Sequence, residues 1–251
     1  MLEVSGITQI FGGVTALEDV SFSIRKGDIT GVIGPNGAGK TTLFNIISGI
    51  YHQSSGQVLL NNVDVSGLPP EKLAPLGMVR TFQNIELFGG MTVLENVMVG
   101  LHTKSSSGLL ACSLRMPWSR TEELNIRTAA LKWLEFTGIS ELADVTAGNI
   151  SFGKGRLLEI ARALAVEPGI ILMDEPAAGL NSRETVGLAR LIQRVRDLGI
   201  TVVLVEHDMD LVMEICDRLL VLNLGRKLAE GTPQEIQENR EVIAAYLGDA
   251  D

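Results

Sequence analysis

The sequence predicts an α/β fold built on an open sheet, and three observations lead there. Residues 29–33, 170–173 and 201–205 are short, continuous apolar runs, the pattern of buried strands. Each run ends on residues that carry chemistry: the glycine-rich stretch 34–39, the pair Asp174-Glu175, and the pair Glu206-His207. Ligands of open α/β sheets bind outside the carboxyl ends of the strands. Between the runs lie helical patterns, one of them long enough to form a subdomain.

Taken in order, Val20, Phe22 and Ile24 alternate with Ser21 and Ser23, which reads as a half-buried strand. After the 29–33 strand and the glycine-rich loop comes a helical pattern. Leu43, Phe44, Ile46, Ile47 and Ile50 share one side of it. Residues 58–60 suggest another strand. From about 92 to 148 the chain is mainly helical, interrupted by a Ser-rich, loop-like patch at 103–120 that contains Pro117. Residues 156–164 are helical again. Leu188, Leu191, Ile192 and Val195 mark an amphipathic helix with arginines on its other side. Residues 219–230 read as a hairpin turning near Asn223-Leu224-Gly225. Thr232-Pro233-Gln234-Glu235 opens a last helix, with Thr as cap, Pro first and Glu reaching back. No internal repeat is visible.

The 251 residues allow one large domain or two small ones. Hydrophobic residues make up 45% and charged residues 20%, which excludes a disordered chain. Glycine is enriched to about 11%, against a usual ~7%, so tight turns or close approach of backbone to a ligand are expected. The net charge of −9 argues against nonspecific nucleic-acid binding, which needs a basic face. Cys112 and Cys216 show neither metal spacing nor a disulfide framework, which fits a reducing compartment. No signal peptide opens the sequence, with Glu3 interrupting its first residues. Residues 41–63 carry no Asp, Glu, Lys or Arg, but Asn45, His52, Gln53 and Gln57 exclude a membrane span. A soluble protein is expected, reaching any membrane only through a partner.

Gly34-Pro35-Asn36-Gly37-Ala38-Gly39-Lys40-Thr41, followed by Thr42, has the spacing of a phosphate-binding loop. Several backbone N–H groups must converge on phosphate oxygens, and Cβ atoms would obstruct them. A helix starting near Gly39 directs its positive end at the anion. Lys40 adds charge for the β- and γ-phosphates, and the Thr41 hydroxyl can bind Mg²⁺. The dinucleotide fingerprint Gly-x-Gly-x-x-Gly is absent, which disfavours a hydride-transfer enzyme. Asp174, at a strand end, suits a magnesium-associated ligand, usually through water. Glu175 is placed to orient or polarise an attacking water. His207, at the end of another apolar strand, is a candidate to face the γ-phosphate. His52 and His102 have no such setting.

Together these residues resemble the ATP-binding subunits of ABC transporters, and the order of elements matches along essentially the whole chain. The phosphate loop lies at 34–41, a glutamine in Thr81-Phe82-Gln83-Asn84, a signature at 150–154, the acidic strand at 170–175 and the histidine at 207. Arg80-Thr81-Phe82-Gln83-Asn84, Asp174-Glu175-Pro176-Ala177-Ala178-Gly179-Leu180-Asn181, Glu206-His207-Asp208-Met209 and Ala245-Tyr246-Leu247-Gly248 are most similar to the branched-chain amino acid uptake ATPases. The resemblance implies a P-loop NTPase (RecA-like) core with an antiparallel β subdomain and a helical signature subdomain. The core and β subdomain would take residues 1–90 and 155–232, the helical subdomain 91–154 and a C-terminal helix 233–251. It implies a Mg²⁺-dependent ATPase. Phe11 would stack on adenine, and Gln83 would sense Mg²⁺ and link the site to a membrane partner. Ser151 and Gly153 would close over the ATP of an opposite subunit, and Asn181 would lie in the segment crossing that interface.

The signature departs from the family's Leu-Ser-Gly-Gly-Gln: here it is Ile150-Ser151-Phe152-Gly153-Lys154. An aromatic at Phe152 is usual in the branched-chain type. Lys154 would either add charge near the partner's nucleotide or be solvated. The resemblance further implies integral-membrane permease subunits and a second ATPase subunit, identical or paralogous. The place of work would be the cytoplasmic face of the cell membrane, without direct insertion. A soluble ABC-type ATPase on ribosomes or DNA usually has two modules or a long insertion, and this chain has neither. A related amide or urea importer is the nearer alternative. A GTPase would need Asn-Lys-x-Asp, and the nearest string, Asn61-Asn62-Val63-Asp64, lacks the lysine. A simple kinase leaves the signature unexplained.

Overall fold

In a computed structural model, residues 1–81, 85–102 and 117–247 are described, with the side chains of 102, 117–122 and 247 excepted. The chain divides into two compact units, Met1–Gln83 with Gly169–Asp251, and Asn84–Pro168.

The first unit contains two sheets. Strands β1 (Leu2–Phe11), β2 (Val14–Ile24), β4 (Ser55–Leu60) and β5 (Val63–Asp64) form an antiparallel sheet in the order β2-β1-β4-β5. Along β2 the alternation predicted from Val20, Phe22 and Ile24 appears as buried residues between exposed serines. The second sheet contains β3 (Ile29–Ile33), β6 (Met78–Thr81), β7 (Ile170–Asp174), β8 (Thr201–Val205), β9 (Arg218–Asn223) and β10 (Arg226–Gly231). Its order is β10-β9-β3-β8-β7-β6, parallel throughout except for the β9–β10 hairpin at the edge. Strands β3, β7 and β8 are buried at every residue, as their unbroken apolar runs require of a sheet covered on both faces.

Helix α1 (Lys40–Ile47) follows the glycine-rich loop and buries Leu43, Phe44, Ile46 and Ile47. These pack in one cluster with Leu2, Val4 and Val58 of the antiparallel sheet and Val32, Leu172 and Val203 of the parallel one. The helix therefore forms the shared core of both sheets. Ile50, expected on the same helical face, lies beyond the helix and is exposed. Gly49 stops the helix in the left-handed region, at φ +75°. The Gly49 N–H donates to the Ile46 carbonyl (3.0 Å) and the Ile50 N–H to the Asn45 carbonyl (2.8 Å), the two bonds of a Schellman cap.

In the second unit, α2 (Val93–His102), α3 (Pro117–Thr137) and α4 (Phe152–Ala165) enclose a cluster that includes Val93, Val97, Leu134, Leu158 and Ala161. Thr92 and Glu95 exchange hydrogen bonds of 2.7 and 3.1 Å, a capping box that starts α2. Two expectations change here. Residues 117–120, assigned to the loop-like patch, begin α3, because proline is tolerated in a first helical turn. Residues 103–116 of that patch lie outside the described residues. The helical unit also runs to Pro168 rather than 154, because Leu158, Ala161 and Ala165 are part of its core.

In the first unit, α5 (Ser182–Asp197) buries the predicted Leu188, Leu191, Ile192 and Val195, and α6 (Met209–Ile215) follows β8. The expected C-terminal helix divides into α7 (Pro233–Gln237) and α8 (Arg240–Leu247). Thr232 and Glu235 form the predicted capping box, but Asn239 accepts from the Glu241 N–H (2.9 Å) and starts a second helix.

Gly49→Ala tests the α1 stop. A Cβ there meets the backbone carbonyl of Leu68, and left-handed backbone alone costs roughly 1–2 kcal/mol for an alanine. The variant is expected to lower the urea midpoint by at least that stability, with an unchanged m-value. An unaltered midpoint would show that the cap carries no such strain.

Candidate functional site

The site begins with register. Val32 of β3 pairs with Val205 of β8, and Val205 pairs with Asp174 of β7. The three carboxyl ends are therefore level, and the residues just beyond them emerge side by side.

Beyond β3 the glycine-rich loop turns over the N-terminus of α1. Gly34 takes φ +150°, and a Cβ on it would strike the backbone carbonyl of Leu222 on β9. Only glycine lets the loop start this close to the sheet. A cleft of about 480 Å³ opens here, lined by Asn36, Gly37, Gly39, Lys40, Thr41 and Glu175 among others. Ala38 and Thr42 line it as well, while Pro35 lies behind, where its carbonyl accepts from Lys40. The Lys40 ammonium donates to the carbonyls of Gly34 (2.6 Å) and Pro35 (2.9 Å), closing the loop on itself. Partial burial holds this amine below its ordinary range, against the pull of the nearby Glu175 carboxylate.

Beyond β7, Asp174 is buried and paired with Arg80 at 2.6 Å. Arg80, on β6, also donates to Asn45 Oδ1 (2.8 Å) and Ser48 Oγ (2.6 Å) at the end of α1. One guanidinium on β6 thus joins the end of β7 to the end of α1. Glu175 has φ +44°, an uncommon conformation for a residue with a side chain, and its N–H donates to the Val205 carbonyl (2.9 Å). Beyond β8, Glu206 is buried, while the His207 side chain is 69% exposed. His207 Nδ1 lies 3.8 Å from Glu175 Oε2 and 3.9 Å from Glu206 Oε2. A loop of amides and an ammonium, two consecutive carboxylates and an imidazole thus share one end of the sheet. Such a set can bind polyphosphate and activate water.

The comparisons with known proteins agree. The family described as "ABC transporter" matches residues 17–178, and one described as "Branched-chain amino acid ATP-binding cassette transporter" matches 226–251. The chain belongs to the ABC transporter family. It is an ATP-binding cassette and hydrolyses ATP. It is 45% identical to the high-affinity branched-chain amino acid transport ATP-binding protein BraF of Pseudomonas aeruginosa, covering 100% of this chain and 98% of that one. A nucleotide-free cassette from an ABC transporter superimposes with TM-score 0.84 at 36% identity, covering 98% of each chain. A dimeric cassette in a post-hydrolysis state, bound to ADP and Pi, matches with TM-score 0.78 at 27% identity, over 93% of this chain and 99% of that one.

The remaining candidates of the cassette fall as follows. Phe11, at the end of β1, is 43% exposed and meets Tyr51 edge-on, ring centroids 5.5 Å apart, so it is not a core residue. Gln83 lies outside the described residues. In the helical unit, Ser151 caps α4 by accepting from the Lys154 N–H (3.4 Å), and Gly153 lies in the first turn. Lys154 is neither free nor simply solvated: its ammonium pairs with Glu141 at 3.3 Å and reaches the Gly138 carbonyl at 3.5 Å. Asn181 caps α5 in a capping box with Glu184.

Sequence reasoning gave no role to Arg80 or Tyr246, and it placed Glu206 at a strand end without showing its burial. Arg80 stands in a stretch quoted for its resemblance, yet no local pattern showed its ion pair across 94 positions. Burial raises the Tyr246 phenol, and the Gly34 backbone counters the rise, so α8 reaches the start of the glycine-rich loop. No cluster of three or more His, Cys, Asp or Glu side chains among the described residues could hold a metal ion alone. A hydroxyl and one carboxylate sharing an ion with phosphate oxygens suits Mg²⁺, which keeps several waters and few protein ligands.

Lys40→Ala removes the ammonium and leaves the amide cradle. ATP affinity should fall by roughly 1–3 kcal/mol, the range for a charge-assisted contact. Calorimetric titration measures it, and unchanged affinity with unchanged hydrolysis would reject the loop as the phosphate site.

Proposed function

We propose that this cassette energises an importer of branched-chain or other hydrophobic amino acids. What supports the reaction is the level register of β3, β7 and β8, which groups Gly34, Glu175 and His207 at one end of the sheet. What supports the substrate class is the relative BraF, named for branched-chain amino acid transport and matched over the full chain, and the family match at 226–251.

In this reading the amides of residues 34–42, with Lys40, hold the β- and γ-phosphates, and Phe11 stacks on the adenine. Thr41 and Asp174, with Gln83 as implied by the family resemblance, hold Mg²⁺. Mg²⁺ when bound neutralises charge developing on the phosphate oxygens. Glu175 orients and polarises the attacking water, and His207 faces the γ-phosphate. Ser151 and Gly153 present the α4 N-terminus to the nucleotide of a second ATPase subunit, identical or paralogous. Lys154, tied to Glu141, braces this signature from its own unit. The dimeric cassette with ADP and Pi supports such a pair. No described helix is long and apolar enough to cross a membrane. In this reading, supported by the transport ATP-binding relatives, the cassette works on the cytoplasmic face of the cell membrane through permease subunits, without inserting into it and without binding nucleic acid.

Glu175→Gln tests the reading. The nearly isosteric amide cannot act as a base, so turnover should fall ~10²–10⁴-fold. Binding should survive, since Lys40, the loop amides, Thr41 and Asp174 are untouched. Uncleaved ATP should then hold two copies together, read as a monomer-to-dimer shift by size exclusion with light scattering. Near-normal turnover would remove Glu175 from the mechanism. An inactive variant that dimerises with neither itself nor a paralogue would reject the paired arrangement.

A further inference from the structure

Glu206 is the most deeply buried carboxylate beside the hydrolytic residues, with its side chain fully enclosed. Among the described residues it has no lysine or arginine partner within salt-bridge distance. A buried carboxylate needs compensation, and here backbone amides supply it. Oε1 accepts from the Ala177 N–H at 2.7 Å. Oε2 accepts from the His207 N–H at 3.1 Å and from the Asp208 N–H at 3.4 Å. Burial raises this carboxyl, and the three amide bonds together with His207 counter the rise.

The two oxygens serve different stretches of chain. Ala177 stands two residues after Glu175, in the turn that leads to Asn181. His207 and Asp208 form the link from β8 to α6. The carboxylate is therefore a rigid bridge between the turn bearing Glu175 and the backbone bearing His207. Those two side chains come within 3.8 Å of each other, and both are exposed enough to swing if their backbones drift. A neutral amide cannot replace this bridge. Its oxygen could accept at one end, but its NH₂ would then face another N–H donor at the other.

We propose that Glu206 is a positioning residue for ATP hydrolysis, fixing His207 relative to Glu175 by accepting from both backbone segments at once. The proposal rests on the hydrolytic reading of Glu175 and His207 given above. The Glu206 side chain is fully enclosed by the chain, and it acts through the residues it holds.

The test uses Glu206→Gln in the full chain, with kcat, KM, ATP affinity by calorimetry and thermal unfolding measured together. Misplacement of a reacting group is expected to lower kcat about 10- to 100-fold, while ATP affinity stays within about twofold because the phosphate loop is untouched. Combined with His207→Ala, the substitution should slow turnover no further than His207→Ala alone, since residues acting as a unit are not additive. A normal kcat, or a double variant showing the product of the two single losses, would overturn the proposal. Should the glutamine variant not fold, Glu206→Asp keeps the charge but withdraws both oxygens. It should also lose kcat at constant ATP affinity, and full activity there would overturn the proposal equally. If Glu175→Gln and His207→Ala both turn over normally, the hydrolytic reading itself fails. If they are slow and the Glu206 variants are not, only the bridge fails.

Discussion

Three strands far apart in sequence lie in parallel with every residue buried, and the register among them determines the rest of the site. Val32, Val205 and Asp174 stand in one row across β3, β8 and β7. A slip of one residue in any strand would reverse which side chains face each layer of the core. It would also move a catalytic candidate off the shared edge. Because these strands are buried at every residue, hydrophobicity alone does not choose among registers, and the shape fit of individual side chains against the layers on either face holds it. α1 reinforces it by packing under both sheets at once.

A site rich in charge at the edge of such a core faces a desolvation problem, and the chain meets it with specific partners. Asp174 is buried but paired with Arg80, whose other nitrogen is bonded to Asn45 and Ser48. Glu206 is buried but bonded to three amides. In the helical unit, Arg156 is fully buried beside Glu159 at 2.7 Å and stands over the Phe152 ring. Buried ion pairs contribute little net stability, but losing one partner strands the other in a medium that cannot solvate it. These groups therefore constrain geometry more than they stabilise the fold. The same constraint allows Glu175 to persist in a left-handed conformation at the point where chemistry is expected.

Much of the molecule was determined by the sequence alone, because the relevant signals are local. Unbroken apolar runs identified β3, β7 and β8, and period-two alternation identified β2. The spacing of glycines and Lys40 identified the glycine-rich turn that leads into α1, and Thr232 with Glu235 identified a helix start. In each case the residues that decide the structure lie within a few positions of one another. The tertiary structure decided what depends on distant neighbours. Ile50 fell outside α1 because Gly49 closes the helix in a left-handed cap, and the Leu68 carbonyl beside it leaves no room for a Cβ. Residues 155–168 joined the helical unit because their apolar face meets α2 and α3. Lys154 found Glu141, Arg80 found Asp174, and Glu206 found Ala177, each across a separation that no periodicity spans. Local patterns set which backbone form is cheapest. Only the packed sheet decides which buried charges meet, because that is where solvent is no longer available as their partner.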